Sequence, residues 1–464
     1  MWAPAASAVR HVTRRHVAPR GARLIRSSAA ARADGEESLF LGAQSSYTTD
    51  PGFYYPKKDA LPALMPCFRL IDDEGVAVPD AVLPDIDKET CVKMMTTMVS
   101  VNEFDKVFND AQRQGRLSFY FTNRGEEAVA VGTAAALKFT DWIWPQYREL
   151  GASFWRGITY EDAANQCCCN HLDPTHGRQL PMHLGSPEKY QMYVKSNLGQ
   201  QVPASVGSAF ALRKRGEDQC SITYFGEGCA SEGDIPSAFN IAAVLGAPVL
   251  FLCRNNGYAI STHSDDQYRS DGVAPRGFAF GLPAIRVDGN DMLAMFTATV
   301  EARKIATEQG RPVIIEAMTY RVGPHSTSDD DSNYRVKEAP IDGFATERDY
   351  WEARSPIIRF GKYLEAKGWW SAEEEKELRA SSRKHAIRSL NEAGKLPGNH
   401  IKHLFTDVYD EQTWQQVEQK AELKAHLEKY GEHYPDVPQH AQSAPSSQPP
   451  VAATAPEAYQ RPLG

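Results

Sequence analysis

Short apolar runs alternate with longer segments of helical spacing through the middle of the chain. The runs "CSITYF" at 220–225, "PVLFLC" at 248–253 and "PVIIEAMTY" at 312–320 are predicted to be strands, because they are short and rich in β-branched and aromatic residues. Strands that alternate with helices favour parallel pairing through crossover connections. We therefore predict an α/β fold with a mostly parallel sheet flanked by helices.

The segment between the first two strands is predicted to be a helix of about ten residues that ends near Gly246. Asp234 is suited to its cap and Pro236 to its first turn. Its apolar residues recur at helical spacing: Ala238, Ile241, Ala242 and Leu245. A second helix is predicted from about 291 to 309. The order from 220 to 321 is then strand, helix, strand, long loop, helix, strand.

The two ends of the chain differ in composition from this core. The first 32 residues carry seven arginines and no acidic residue, which is typical of a mitochondrial transit peptide. We predict a transit peptide over 1–45, an extended arm over 46–84, the main domain over 85–436 and a disordered tail over 437–464, which is rich in Pro, Ala and Ser. A helix is expected from 85 to 114 at the start of that domain.

Charge, hydropathy and cysteine content indicate a soluble protein of a reducing compartment, here the mitochondrial matrix. The net charge of −8 gives no reason to expect nucleic acid, and no apolar stretch approaches the ~20 residues that cross a bilayer. The eight cysteines contain no C-x-x-C pair. The run at 167–169 therefore favours reduced thiols on a helix over a zinc site.

Polar side chains follow each of the three predicted strands. Glu227 follows the first strand, Arg254 and Asn256 follow the second, and Arg321 and His325 follow the third. Ligands of open parallel sheets bind at the carboxyl ends of the strands. These side chains are therefore expected to meet along one edge of the sheet.

This set of residues favours capture of a diphosphate through a divalent metal. Magnesium prefers hard oxygen ligands, and Glu227 offers a carboxylate, Asn256 an amide oxygen and Tyr258 a backbone carbonyl. Arg254 can neutralise phosphate charge, and the glycines on either side of Glu227 allow close backbone approach. The G-x-x-x-x-G-K-[ST] motif is missing, and the glycine spacing does not fit the dinucleotide fingerprint.

Longer motifs carry a family resemblance. The "GEG" at 226–228, followed by 26 residues and then Asn-Asn, resembles the thiamine diphosphate signature. The stretches "FGEGCASEGD", "CRNNGYAIST" and "IEAMTYRVGPHSTSDDDSNYR" resemble alpha chains of the decarboxylase component of branched-chain 2-oxoacid dehydrogenases, and the similarity runs from about 68 to 435. The resemblance implies thiamine diphosphate and Mg²⁺ as cofactors and His325 as the catalytic histidine.

The resemblance also assigns roles to individual residues. It implies cofactor contacts from Tyr147, Arg148, Ser196, Gly228, Cys229, Arg254 and His325, and magnesium ligation by Glu227, Asn256 and Tyr258. A potassium site in the family implies Asn197, Gln200 and Gln201 as ligands, although Lys195 beside them disfavours a cation. Cys229 stands where the family usually has alanine, and Pro324 replaces a histidine beside His325.

The implied reaction is decarboxylation of a branched-chain 2-oxoacid, with transfer of the acyl group to the lipoyl group of an acyltransferase component. The implied assembly contains two alpha and two beta chains. A regulatory kinase and phosphatase are expected to act on Ser326, whereas the family's second phosphorylation position is Val336, which has no hydroxyl.

Two alternatives differ in substrate or in class. A pyruvate dehydrogenase alpha chain has the same cofactor chemistry, but "GRQLPMH" and "HSTSDDDS" favour the branched-chain group. A scaffold homologue without activity would tolerate loss of Glu227, Asn256 or His325, and all three are present.

Overall fold

The computed structural model describes residues 65–335, 342–406 and 409–434, and every structural statement below refers to these ranges. The chain divides between Ala63 and Leu64 into two units, and the described residues belong to the second. The predicted transit peptide, the predicted tail, Val336 and most of the predicted arm lie outside the described residues.

A six-stranded sheet, parallel throughout, forms the centre of this unit. Its strand order is β1-β7-β8-β4-β3-β2. The strands are β1 (Cys67–Phe68), β2 (Trp142–Trp144), β3 (Ser221–Gly226), β4 (Val249–Asn255), β7 (Ala284–Asp288) and β8 (Val313–Met318), and an antiparallel hairpin adds β5 (Tyr258–Ala259) and β6 (Thr262–His263). The predicted α/β fold is confirmed, as are its three predicted strands.

The described ranges contain twelve α-helices. They are α1 (Lys88–Arg113), α2 (Glu127–Ala136), α3 (Leu150–Trp155), α4 (Tyr160–Cys167), α5 (Gln201–Arg215), α6 (Asp234–Leu245), α7 (Ser264–Gln267), α8 (Met292–Gln309), α9 (Glu347–Ala353), α10 (Pro356–Ala366), α11 (Ala372–Ala393) and α12 (Trp414–Tyr430). The side chain of Asp291 caps α8, and Gly246 ends α6 in the left-handed conformation. The helices predicted to start near 85, 234 and 291 are therefore present.

Both faces of the sheet are buried. Along β4, Leu250 and Leu252 pack into a cluster with α1, α2 and α8, whereas Phe251 and Cys253 pack into a second cluster with α5 and α6. A strand covered on both faces is apolar at every position instead of alternating. This explains the continuous apolar run "PVLFLC", which made the strand easy to predict.

Three details of the prediction were wrong. Residues 284–288 were assigned to a loop but form β7, whose Arg286 is buried in an ion pair with Glu316 of β8 at 3.1 Å. A charged residue in the middle of a five-residue strand hides the apolar pattern. Asp234 is the first residue of α6, and its N-cap is Gly233. Ile241, expected in the core, is 47% exposed.

The first described residues are part of the sheet. β1 pairs with β7, and the backbone N–H groups of Leu70 and Ile71 donate to the Asp291 carboxylate at 2.7 and 2.8 Å. The segment predicted as an arm therefore supplies an edge strand at its described end. One aspartate serves both this attachment and the cap of α8.

All eight cysteines are free thiols. Cys167 is the last residue of α4, while Cys168 and Cys169 follow the helix, so the predicted helical run is correct only for its first member. Within the described ranges no three His, Cys, Asp or Glu side chains cluster as a metal site. None of the helices described is both long and apolar enough to span a membrane.

Candidate functional site

The carboxyl ends of β2, β3, β4 and β8 lie at one edge of the sheet. Gly226, the last residue of β3, is in register with Arg254 of β4, which is in register with Ala317 of β8. Glu227 directly follows β3, Asn256 directly follows β4, and His325 lies seven residues beyond β8. The expected convergence on one edge is present, although Arg254 lies within its strand instead of after it.

Glu227 is a buried carboxylate with an unsatisfied oxygen. Its side chain is 2% exposed, Oε2 accepts from the Asn256 backbone N–H at 3.3 Å, and Oε1 has no hydrogen-bond partner in the described structure. Burial raises the pKa of Glu227 to about 7, and the nearby Glu126 carboxylate adds to the effect. A buried carboxylate oxygen without a hydrogen-bond partner is stabilised when a cation binds it.

Two neutral oxygens accompany this carboxylate. Asn256 donates through Nδ2 to Glu126 Oε1 at 2.7 Å, and its Oδ1 accepts from the Tyr258 backbone N–H at 3.2 Å. Tyr258 begins the β5–β6 hairpin directly beyond. One carboxylate, one amide oxygen and one backbone carbonyl form a hard-oxygen donor set of the kind that Mg²⁺ takes together with phosphate oxygens. The residues present therefore fit a magnesium ion.

Arg254 is buried between two carboxylates. Its Nη1 donates to Glu149 Oε1, and its Nε lies 3.5 Å from Glu126 Oε2. Burial alone lowers the pKa of Arg254, but Glu149 and Glu126 outweigh burial and raise it. Glu149 is itself held by the backbone N–H groups of Gln146 and Tyr147, each at 2.8 Å. The guanidinium is thus fixed in place at the edge of the sheet.

Arg148 extends the same cluster of positive charge. Its two Nη atoms donate to the backbone carbonyls of Thr122 and His325, and its Nε lies 3.8 Å from Glu126 Oε2. Burial lowers the pKa of Arg148 from the usual arginine value, although the group remains a cation at neutral pH. Two buried guanidinium groups, each beside a buried carboxylate, therefore lie together at this edge of the sheet.

His325 lies between Tyr147 and the arginines. Its Nε2 is 3.2 Å from the Tyr147 hydroxyl, and its backbone N–H donates to Asp329 at 2.7 Å. Burial, with the positive charges of Arg148 and Arg321, lowers the pKa of His325 to about 3. The imidazole is therefore neutral near pH 7, and its Nε2 can accept or donate a hydrogen bond according to its tautomer.

The loop that carries His325 is tied to the body of the chain. The Thr327 backbone N–H donates to the Tyr120 carbonyl at 2.9 Å, and the Tyr120 backbone N–H donates to the Thr327 hydroxyl at 3.1 Å. Ser326 is 7% exposed, whereas Ser328, whose N–H donates to the Ser326 hydroxyl, is exposed. Addition of a group to the Ser326 hydroxyl thus requires the loop to open.

Gly228 and Cys229 line the turn after β3. A Cβ added to Gly228 would lie 2.3 Å from the Ala259 Cβ, so glycine permits the contact with the β5–β6 hairpin. The Cys229 side chain is buried, and burial raises the pKa of its thiol to about 12. Cys229 is therefore a neutral thiol at physiological pH.

The residues expected to bind potassium, Asn197, Gln200 and Gln201, lie close together in the sequence at the start of α5. Asn197 and Gln200 are exposed, as is Ser196, a predicted cofactor contact. Gln201 is buried and donates through Nε2 to the Tyr224 carbonyl at 2.8 Å, while its Oε1 has no hydrogen-bond partner in the described structure.

Sequence reasoning missed Glu126 and Glu149. They lie in the stretches "GEEA" at 125–128 and "QYRELG" at 146–151, but a glutamate at the start of a helix is usually a solvated charge. Their burial between distant arginines is a tertiary property. Glu149 directly follows Arg148, a predicted cofactor contact, and this adjacency is the signal that could have found it.

The chain is similar to known proteins over most of its length. Residues 95–402 match the family model described as dehydrogenase E1 component. The chain is 48% identical over 391 residues to the mitochondrial 2-oxoisovalerate dehydrogenase subunit alpha of Dictyostelium discoideum, which covers 83% of this chain and 87% of that protein. It is 45% identical to subunit alpha 2 of Arabidopsis thaliana, with 81% and 78% covered, and 42% identical to the Homo sapiens subunit, with 86% and 88% covered.

Proposed function

Because the chain belongs to the dehydrogenase E1 component family, we propose that it is the alpha subunit of a mitochondrial branched-chain 2-oxoacid dehydrogenase. The observation that carries this proposal is identity of 42–48% across more than four fifths of the chain to subunits named 2-oxoisovalerate dehydrogenase. These names favour the branched-chain enzyme over the pyruvate dehydrogenase alternative. Its substrate is then 3-methyl-2-oxobutanoate or a close homologue.

Membership of this family implies dependence on thiamine diphosphate. We infer that Glu227, Asn256 and the Tyr258 carbonyl would hold Mg²⁺, which would supply positive charge to the cofactor's diphosphate, and that Arg254 and Arg148 would contribute further positive charge there. The unpaired Glu227 oxygen supports the metal assignment. Asn197 and Gln200, two of the residues expected to bind potassium, are exposed, and potassium is not part of the proposal.

When bound, thiamine diphosphate supplies a nucleophilic carbon and a ring that accepts the electrons of decarboxylation. The chain's own residues bind, orient and exchange protons. Glu149 and Glu126 keep the Arg254 guanidinium in a fixed position, which lowers the entropic cost of ordering this side chain when a diphosphate binds. Tyr147 orients the neutral His325 ring, whose Nε2–H would donate a hydrogen bond to the oxygen of the reacting carbonyl group.

An alpha subunit of an E1 component acts with a beta subunit. We propose an assembly of two alpha and two beta chains in the mitochondrial matrix, which passes the acyl group to the lipoyl group of an acyltransferase component. We further propose that a kinase and a phosphatase act on Ser326. Its place beside His325, in a loop packed against Tyr120, supports a switch that works by opening the loop.

The proposal is tested with the chain co-expressed with a beta-type chain. We expect decarboxylation of 3-methyl-2-oxobutanoate in preference to pyruvate, and a melting temperature that rises when thiamine diphosphate and Mg²⁺ are added together, because a ligand bound only by the folded state stabilises it. Preference for pyruvate would favour the alternative substrate. A melting temperature unaffected by the cofactor would contradict the proposed function.

A further inference from the structure

Glu126 is a buried carboxylate that contacts three residues of the proposed cofactor site. It is 1% exposed and directly precedes α2. Its Oε1 accepts from Asn256 Nδ2 at 2.7 Å, and its Oε2 lies 3.5 Å from Arg254 Nε and 3.8 Å from Arg148 Nε. One side chain thus joins a proposed metal ligand to both proposed diphosphate ligands.

The position of Glu126 is fixed by the backbone around it. The Gly125 carbonyl accepts from the Thr319 hydroxyl at 3.0 Å, and the Arg124 carbonyl accepts from the Val322 N–H at 3.1 Å. A Cβ on Gly125 would lie 2.2 Å from the Tyr320 carbonyl oxygen, so only glycine allows this approach. The segment before α2 is therefore attached to the segment that leaves β8.

An ionised carboxylate accepts hydrogen bonds and donates none. Glu126 therefore bonds the NH₂ group of Asn256 and turns the amide oxygen away from itself. In the flipped amide two oxygens would face each other, and the NH₂ group would occupy the place of the metal-binding oxygen. The Tyr258 N–H contact to Oδ1, at 3.2 Å, favours the same orientation.

We propose that Glu126 is a positioning residue that fixes the Asn256 amide with its oxygen available to Mg²⁺ and balances the charge of the two arginines. This inference rests on the proposed function, since it assigns a role within the same cofactor site. A neutral glutamine cannot replace the carboxylate, because its amide has only one oxygen. If that oxygen bonds Asn256, the NH₂ group faces the arginine Nε donors; if it faces the arginines, the NH₂ group turns against Asn256.

Glu127 provides a matched control. It is adjacent in sequence and equally buried, but its oxygens accept from Asn102 Nδ2 at 3.0 Å and the Gly125 N–H at 2.9 Å. Loss of its charge changes the same helix start without touching Asn256 or the arginines. A role limited to local folding would give similar results for both glutamates.

The test is an Mg²⁺ titration of the alpha–beta complex at a fixed concentration of thiamine diphosphate, with cofactor binding measured by calorimetry. It is carried out on Glu126→Gln, Glu127→Gln and the wild type. We expect Glu126→Gln to raise the Mg²⁺ concentration needed for half-maximal cofactor binding by about 10–100-fold, the usual effect of losing a residue that orients a metal ligand. Thiamine diphosphate binding measured in chelator should not weaken, because the arginines lose a competing negative charge. Glu127→Gln should leave both quantities near wild type.

A second variant tests the orientation argument directly. In a chain that also carries Asn256→Asp, a carboxylate faces Glu126, so Glu126→Gln now removes a repulsion and supplies a donor. We expect Glu126→Gln to strengthen Mg²⁺-dependent binding in that chain and to weaken it alone, a reversal of sign in the double-mutant cycle. If Glu126→Gln alone yields no folded complex, recovery of a folded, Mg²⁺-binding complex by the pair supports the contact.

Three results would overturn the inference. They are an unchanged Mg²⁺ midpoint for Glu126→Gln, equal losses for both glutamate variants, and losses that simply add in the double variant. A wild-type complex that does not bind thiamine diphosphate would instead contradict the proposed function, and the inference with it.

Discussion

Glu227 is the residue on which the proposed metal site depends most directly. It is the ionisable member of a ligand set whose other two members, Asn256 and the Tyr258 carbonyl, are neutral. We expect Glu227→Ala to reduce Mg²⁺-dependent affinity for thiamine diphosphate by on the order of 100-fold or more, because the remaining oxygens carry no charge. Calorimetric titration of the cofactor in magnesium buffer measures this loss.

Glu232 provides the control for this variant. It lies in the same turn after β3 but is exposed, so Glu232→Ala should leave cofactor affinity unchanged. Loss of a charged ligand predicts a much larger change than about threefold. A cofactor affinity for Glu227→Ala within about threefold of wild type would therefore contradict the metal-ligand assignment.

Asp105 is a buried carboxylate outside the proposed cofactor site. It lies in α1 and accepts from the Tyr120 hydroxyl at 2.8 Å and from the Asn123 backbone, which places it beneath the segment that holds the His325 loop. Burial raises the pKa of Asp105 from 3.8 to about 7. Between these values the folded chain binds a proton that the unfolded chain does not. Its contribution to stability is therefore present at low pH and lost as the pH rises through about 7.

We accordingly expect the melting temperature of the wild-type complex, relative to Asp105→Asn, to fall between pH 5.5 and pH 8. The variant cannot titrate at this position, so the difference between the two curves isolates the carboxyl group. Asp110→Asn, on the exposed face of the same helix, should show no such pH-dependent difference. A difference that grows with pH would have the wrong sign for a raised pKa.

At the scale of elements, the loop from 323 to 335 contains a buried serine, Ser326, and an exposed serine, Ser328, two residues apart. Ser326 is buried beside His325, and Thr327 attaches the loop to Tyr120. A negative charge at Ser326 has no room in this packing, and it would face the cofactor's own diphosphate. We expect Ser326→Glu to lower the activity of the reconstituted complex about tenfold or more, because opening the loop displaces His325 from the reacting atoms.

The matched variant is Ser328→Glu, which places the same charge two residues away at an exposed position. Its activity should remain near wild type, and circular dichroism should show both variants folded. Equal activities would exclude Ser326 as a switch. Val336 occupies the family's second phosphorylation position but has no hydroxyl, and we expect Val336→Glu to lower activity far less than Ser326→Glu. Val336 lies outside the described residues.

At the scale of the whole molecule, three carboxylates of the described site, Glu126, Glu149 and Glu227, already have an arginine partner or a proposed metal-binding role. Glu126 and Glu149 pair with arginines, and Glu227 is assigned to the metal. Thiamine chemistry also needs a carboxylate to activate the cofactor's aminopyrimidine ring, which the family resemblance assigns to the beta chain. We therefore expect the pure alpha chain to have no decarboxylase activity.

Activity should appear when a beta-type chain is added, with an assembly mass equal to two chains of each kind. Decarboxylation of 3-methyl-2-oxobutanoate by the pure alpha chain would contradict this expectation. Sedimentation of the mixture, assayed in parallel with each separate chain, distinguishes failure to assemble from failure to catalyse.

The sequence by itself determined the class of fold and the edge of the sheet where the site lies. Apolar runs such as "PVLFLC" report burial on both faces, and the residues that follow each predicted strand must emerge at the same edge of a parallel sheet. Glu227 and Asn256 could be placed in this way because each directly follows a strand.

Only the tertiary structure decided which charges are buried and with whom. Arg286 hid β7 because its partner Glu316 lies 30 residues away, and Glu126 gained its contacts from Arg254 and Asn256, which follow it by about 130 residues. Ile241 has an apolar side chain at a helical-stripe position and is nevertheless exposed. Periodicity reports the average environment of a segment. The pairing of a buried charge instead depends on residues that approach only after the chain has folded.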